Sequence, residues 1–287
     1  MKKIMIACLF LSSLSAFAAE NWQKDLEDWK QARSESLRKP HGWVSLVGME
    51  WLYKGENSIG ASADNKIVLL HGPENIGVFN LDGNQITFKP AIDVDIKAND
   101  NPVTEKIEVK MDSSGSPTIF TVDTFQFYVI ERGKPALRIK DSQAKTLLEF
   151  RGVEYFPVSE KFYIDAEFIP YQPAKEVEIV NVLGLISKDQ SPGKLQFNID
   201  GETYSLDVLD AGDSYYIIFA DRTSGRTTYG PGRFLYADKP KEGETTTKIN
   251  FNKAYNPPCA FTDYSTCPLP PPQNRLRAFI EAGEKKY

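Results

Sequence analysis

Residues 194–209 read KLQFNIDGETYSLDVL. Apolar side chains take every second position on each side of Asp200-Gly201, a pair suited to the positive φ of a two-residue hairpin turn. The stretch reads as two antiparallel strands. Working outward, strand-like runs recur at 162–169 and 176–183 before it, and at 214–220, 233–236 and 248–251 after it. Tyr215 to Phe219 is almost continuously apolar, which places that run centrally with both faces covered. Nearer the start, short runs at 42–46, 66–70, 77–81, 85–90, 106–111, 118–121 and 126–132 form an earlier set, and 136–140 can pair with it. Turn signals such as Leu81-Asp82-Gly83-Asn84 and Asp112-Ser113-Ser114-Gly115 separate them. Strands at this spacing predict an all-β chain of two antiparallel sandwich or barrel-like units, at 41–140 and 150–287, with a boundary near 141–150.

The ends depart from this pattern. Residues 1–18, MKKIMIACLFLSSLSAFA, combine two lysines, an apolar run and an Ala-Phe-Ala cleavage signal, which predicts a secretory signal peptide. Residues 21–39 predict an amphipathic helix that lays Trp22, Leu26 and Trp29 on an apolar surface before Pro40 stops it. Residues 256–274, NPPCAFTDYSTCPLPPPQN, lack too many backbone donors for a sheet interior or a helix, and read as a rigid loop. A short C-terminal helix is expected at 274–282, with Gly283 as its C′ residue.

The composition is that of a globular protein: 41% hydrophobic, 25% charged and only two histidines in 287 residues. Cleavage after Ala18 removes Lys2 and Lys3 and takes the net charge from −5 to −7, which argues against a nucleic-acid partner. No later apolar run reaches about 18 residues, so the mature chain is expected not to span a membrane. The destination is periplasmic or secreted. With Cys8 removed, Cys259 and Cys267 remain, and an even count in an oxidising compartment predicts a disulfide. Closing a loop of about nine residues would contribute roughly 2.5 kcal/mol through the unfolded state. A reactive pair is the alternative, but the seven intervening residues are unlike a Cys-x-x-Cys motif.

Several segments resemble one uncharacterised bacterial family, domain of unknown function number sixteen eighty-four. They are Trp43-Val44-Ser45-Leu46-Val47-Gly48, Glu50-Trp51-Leu52, Ser191-Pro192-Gly193, Gly232-Arg233-Phe234-Leu235 and the run from Phe251 through Tyr255-Asn256-Pro257-Pro258-Cys259 to Phe261. The resemblance covers most of 25–285 and implies no activity. Asn57-Ser58-Ile59-Gly60 followed by Asp64-Asn65-Lys66-Ile67-Val68-Leu69 is similar to the early strands of forkhead-associated sandwiches. That likeness implies a sandwich. It does not imply phosphopeptide binding, because Ala61 stands where those domains carry an arginine, the bidentate donor a phosphate requires, and His71 lies too early.

Catalytic arrangements are scarce. Serine nucleophiles need an adjacent base, and only His41 and His71 are available, without a Gly-x-Ser-x-Gly elbow. Two histidines thirty residues apart do not make a metal site, and Asp93 with Asp95 or Asp210 with Asp213 lacks the remaining ligands of a calcium loop. Neither a cofactor nor a metal is expected. Gly230-Pro231-Gly232 reads as a turn. Trp43 and Trp51 could stack on sugar rings, or fill an aromatic core.

One polar constellation stands out. Asp221 and Arg222 close the most apolar strand, Tyr229 leads to Arg233, Asn252, Tyr255 and Asn256 lead into the proline loop, and Arg275 follows it. These are the candidate ligand-binding residues, with an arginine clamping an anion and a tyrosine stacking on a ring. The alternative is a hydrogen-bonded buckle that satisfies backbone groups in irregular loops. The sequence thus points to a β-rich binding or structural module of the cell envelope, its partner an unidentified small molecule or envelope component. A hydrolase acting near Asp221, Arg233 and Tyr255 is the competing reading.

Overall fold

The computed structural model describes residues 8–287, with side-chain surroundings from Trp22 onward. Residues 1–7 of the predicted signal peptide lie outside the described residues. The first element is α1 (Cys8–Leu37). Of its predicted apolar face, Trp22 and Leu26 are buried and Trp29 is half-buried; Leu37, further along, is buried as well. Trp22 stacks on Tyr163 at 4.8 Å, and Trp29 lies against Tyr155 and Tyr255. Leu37 packs with Val44, Phe150 and Phe261, so the end of α1 sits where the early strands, the connector and the proline loop meet.

Eleven strands follow: β1 (Leu46–Trp51), β2 (Gly55–Gly60), β3 (Ile67–Val68), β4 (Gly77–Asp82), β5 (Gln85–Pro90), β6 (Lys97–Ala98), β7 (Asn101–Pro102), β8 (Ile107–Glu108), β9 (Phe120–Val122), β10 (Phe125–Glu131) and β11 (Pro135–Asp141). They form one sheet in the order β1-β11-β10-β9-β6-β7 and another in the order β3-β2-β4-β5-β8. All pairings are antiparallel except β2 with β3. The sheets face each other across interlocked rings. Phe79 and Phe88 come from one sheet and Phe120 and Phe127 from the other, with neighbouring centroids 4.7 to 6.1 Å apart. This is the predicted sandwich. The predicted strand at 42–46 is largely turn, and pairing starts at Leu46.

A connector carrying the short α2 (Lys145–Leu148) leads to β12 (Tyr163–Val180), β13 (Ile186–Ile199), β14 (Glu202–Ala211), β15 (Ser214–Phe219), β16 (Arg233–Asp238) and β17 (Thr246–Asn250). Their order is β16-β15-β14-β13-β12-β17. Thr247 Oγ1 donates to the Asp238 carbonyl, and β16 and β17 lie side by side, so the ring is nearly closed into a barrel. Asp200 and Gly201 take φ of 53° and 82° at the predicted hairpin turn. The runs expected at 162–169 and 176–183 are one strand, β12, with a register shift between Pro170 and Lys175. Cys259 and Cys267 pair as expected, with Cα atoms 6.1 Å apart.

The C-terminal segment differs from expectation. Helical geometry is limited to one 3₁₀ turn, Pro272–Asn274. Beyond it the chain is extended, and Leu276, Ala278, Ile280 and Ala282 enter the barrel core while Arg275, Arg277, Phe279 and Glu281 face out. A period of two buries a strand-like segment and would waste half of its apolar residues in a helix. Gly283 has φ of 75°, and a side chain there would also collide with the Ala254 backbone, so the glycine serves a close approach with no helix end involved.

Candidate functional site

Asp221 follows the last residue of β15 closely and Arg233 opens β16, so the hairpin between them brings both side chains together inside the protein. Their side chains are 0% and 1% exposed, and Arg233 Nη2 donates to Asp221 Oδ2 at 2.9 Å. Nη2 also donates to the Ile280 carbonyl at 2.9 Å, and Nη1 to the Ala282 and Glu284 carbonyls. One guanidinium therefore holds alternate carbonyls of the extended C-terminal segment. Asp221 Oδ1 accepts from the Thr223 backbone N–H at 2.7 Å and from Thr223 Oγ1 at 2.6 Å. Burial pulls the Arg233 guanidinium below its ordinary range, against the stabilising charges of Asp221 and Glu284. Both groups are sealed from solvent; of the guanidinium nitrogens only Nε, itself buried, has no partner, so the pair presents no open face to a ligand.

Asn256 belongs to an adjoining network built on Glu284, whose carboxylate is 0% exposed. Arg33 Nε donates to Glu284 Oε1 at 2.8 Å, the Asn256 backbone N–H donates to Oε2 at 2.7 Å, and Arg33 Nη2 donates to the Asn256 carbonyl at 2.9 Å. The Arg33 guanidinium also lies over the Tyr255 ring at 4.8 Å. This fastens α1 to the C-terminal segment. Burial, reinforced by Glu284, raises the Tyr155 phenol that completes the network.

The remaining candidates do not converge on this cluster. Asn252 exchanges hydrogen bonds with the Ser159 backbone, at 3.0 and 2.9 Å, and so holds the connector. Tyr229 donates to the Cys259 carbonyl at 2.9 Å. Arg222 and Arg275 are exposed. The residue beside Arg275, Asn274, is the buried one: it accepts from the Asp207 N–H and donates to the Asp207 and Ile218 carbonyls. Asn274 stands with Arg275 after the proline loop in the polar constellation; sequence reasoning missed Arg33 and Glu284, whose partners lie far away along the chain. The alternation of residues 275–282 was the one available signal for the segment they anchor.

An open feature lies on the outside of the barrel. The ends of β12 and β13 continue past the ring as a hairpin whose turn is held by Asn181, with Oδ1 accepting from the Leu183 and Leu185 N–H groups at 2.9 and 3.1 Å. Val182, Leu183, Leu185 and Ile186 are exposed along this tip. The hairpin is tied to the proline loop through Val182 N–H to the Cys267 carbonyl and Leu269 N–H to the Val180 carbonyl. Between the hairpin, the barrel wall and the β10–β11 turn lies a cavity of about 610 Å³. Ile179, Leu185 and Ile186 line one side, and Tyr216, Ile218 and Tyr236 the other, with Asp189, Asp210 and Arg132 at hand. Arg132 is fixed by Asp112 and Thr266. The Tyr216 and Tyr236 centroids are 5.1 Å apart, and Tyr236 stacks on Tyr255 at 6.3 Å, so an aromatic row runs from the groove toward α1. Burial first, then the neighbouring tyrosines, push the Tyr216 phenol up, so it stays neutral. The surface suits an apolar body, and its tyrosines provide flat faces.

Outside these features, His71 Nε2 pairs with Asp141 Oδ2 at 2.8 Å. Burial works to raise the Asp141 carboxyl, but the Gln143 N–H and the His71 ring, among its hydrogen-bond partners, hold it below the usual range. Among the described residues, no three His, Cys, Asp or Glu side chains are grouped to hold a metal ion, and no helix is long and apolar enough to cross a membrane.

Residues 148–285 match the family described as a protein of unknown function, DUF1684. The match is narrower than the 25–285 span of the resemblance noted above. No curated protein matches the chain. Among solved structures it is similar to the solution structure of an uncharacterized protein from Haloarcula marismortui. The identity is 26%, covering 48% of this chain and 77% of the other, with a TM-score of 0.41.

Proposed function

We propose that this chain, which matches an uncharacterised family at 148–285, is a non-catalytic binding module of the cell envelope that holds a small amphiphile in the groove beneath the β12–β13 hairpin. The observation that carries the reading is the groove itself. Its volume of about 610 Å³ lies within the ~300–1,000 Å³ range of ligand pockets, and its walls are largely apolar and aromatic with a few polar groups beside them. The apolar tail of an amphiphile would lie on Tyr216, Ile218 and Tyr236, with its head near Arg132, Asp189 and Asp210. The leader-like residues 1–18 support a periplasmic or secreted destination.

The competing hydrolase at Asp221, Arg233 and Tyr255 has less support. A reacting group must reach substrate, whereas Asp221 and Arg233 are sealed and already bonded, and the Tyr255 phenol is raised by burial. A thermal-shift screen of residues 19–287 against dodecanoate, dodecylphosphocholine and dodecyl maltoside tests the proposal. At least one amphiphile should raise Tm in a saturable, mass-action manner, and Tyr236→Ala should abolish the shift while remaining folded. No shift with any of the three, or an unchanged shift in Tyr236→Ala, overturns it.

A further inference from the structure

On β11, Leu137 and Ile139 point into the sandwich core, which sends Arg138 and Lys140 to the opposite face beside Tyr128 of β10. Arg138 is only 4% exposed. Its Nη1 donates to the Tyr128 hydroxyl at 3.2 Å, while its buried Nε has no hydrogen-bond partner. Lys140 Nζ donates to the His41 carbonyl at 2.8 Å. Among the described residues, neither cation has a carboxylate within 4.0 Å.

Two aromatic rings frame both charges. The Trp43 centroid lies 5.1 Å from Arg138 Cζ and 5.5 Å from Lys140 Nζ, and the Tyr128 centroid 5.8 and 5.7 Å from the same atoms. Ring faces attract cations but supply no acceptor that completes a guanidinium fork. Burial, and then the Arg138 charge, bring the Lys140 ammonium down to about 8. Two like charges side by side with no acidic partner are an arrangement that folding alone does not favour.

We propose that this face of the β10–β11 ribbon is an anion site, where Arg138 and Lys140 together bind the carboxylate or phosphate group of a small ligand whose planar part lies on Trp43. The planar guanidinium supplies the directional hydrogen bonds, Lys140 the second charge, and the indole a flat apolar surface. The site is on the sandwich, separate from the amphiphile groove, and does not rest on that reading.

Calorimetric titration of residues 19–287 with sodium phosphate, and separately with sodium benzoate, at low ionic strength tests it. At least one probe should bind saturably, and whichever does so identifies the head group. Lys140→Met should weaken that binding about tenfold, and Arg138→Gln at least as much, since each removes a charge-assisted hydrogen bond. Arg151→Gln removes an exposed positive charge elsewhere and should leave the affinity within about twofold. If Arg138→Gln does not fold, Lys140→Met decides. Absence of saturable binding of both probes, or equal weakening in Lys140→Met and Arg151→Gln, overturns the assignment.

Discussion

Arg233 in the barrel and Arg138 in the sandwich are both buried arginines on strands, and in both Nε has no partner, yet the acceptors around their Nη groups differ. Arg233 has Asp221 and the carbonyls of Ile280, Ala282 and Glu284 as acceptors, whereas Arg138 has one phenol and two ring faces. The first is the clip that holds the C-terminal segment inside the barrel. The second is charged, buried and incompletely matched by its own chain. Counting acceptors around a buried cation thus separates a structural group from one equipped to bind, a distinction that residue type alone does not make.

The comparison can be broken at its strongest point first. Asp221→Ala leaves Arg233 buried without its carboxylate and should cost about 3–5 kcal/mol, read by urea unfolding. A loss under about 1 kcal/mol would mean the pair is not the clip described here. Next, Glu284→Ala removes the carboxylate that accepts from Arg33 Nε and from the Asn256 N–H, and a loss of about 2–3 kcal/mol is expected in the same assay.

A pH titration sharpens the other side. Folded Lys140 releases its proton near 8, against 10.5 for the ordinary side chain. Between those values the unfolded chain binds the extra proton, so wild-type stability should rise with pH relative to Lys140→Met, and below about 8 the charged ammonium works against folding. A flat difference between the two proteins across that window would remove Lys140 from the pair. The smallest effects belong to Arg222→Ala and Arg275→Ala, exposed side chains whose loss should change unfolding free energy by less than about 0.5 kcal/mol.

Much of the fold could be read from the residues because local periodicity governs strands. β5 runs from Gln85 to Pro90 as its alternation implies, and Asp200-Gly201 turns the β13–β14 hairpin. The C-terminal segment misled because Leu276, Phe279 and Ile280 fall at helical spacing, whereas the barrel core takes the alternating set Leu276, Ala278, Ile280 and Ala282. The candidate constellation was half legible. Asp221 and Arg233 do meet, but whether a polar pair is sealed or open depends on what covers it, here carbonyls from residues 280–284. Arg138 and Lys140 carried no sequence signal, since an arginine and a lysine two apart on a strand ordinarily face water. The groove escaped notice because β12 and β13 overrun the barrel by a length that no turn signal marks.

The most direct measurement is the unfolding free energy of Arg138→Met in ligand-free buffer. Methionine keeps the apolar stem and removes a charge that the chain leaves without an acidic partner, so the variant should be as stable as wild type to within about 1 kcal/mol, or more stable. A loss of 3 kcal/mol or more, matching Asp221→Ala, would show that Arg138 is a structural clip like Arg233 and would contradict the account.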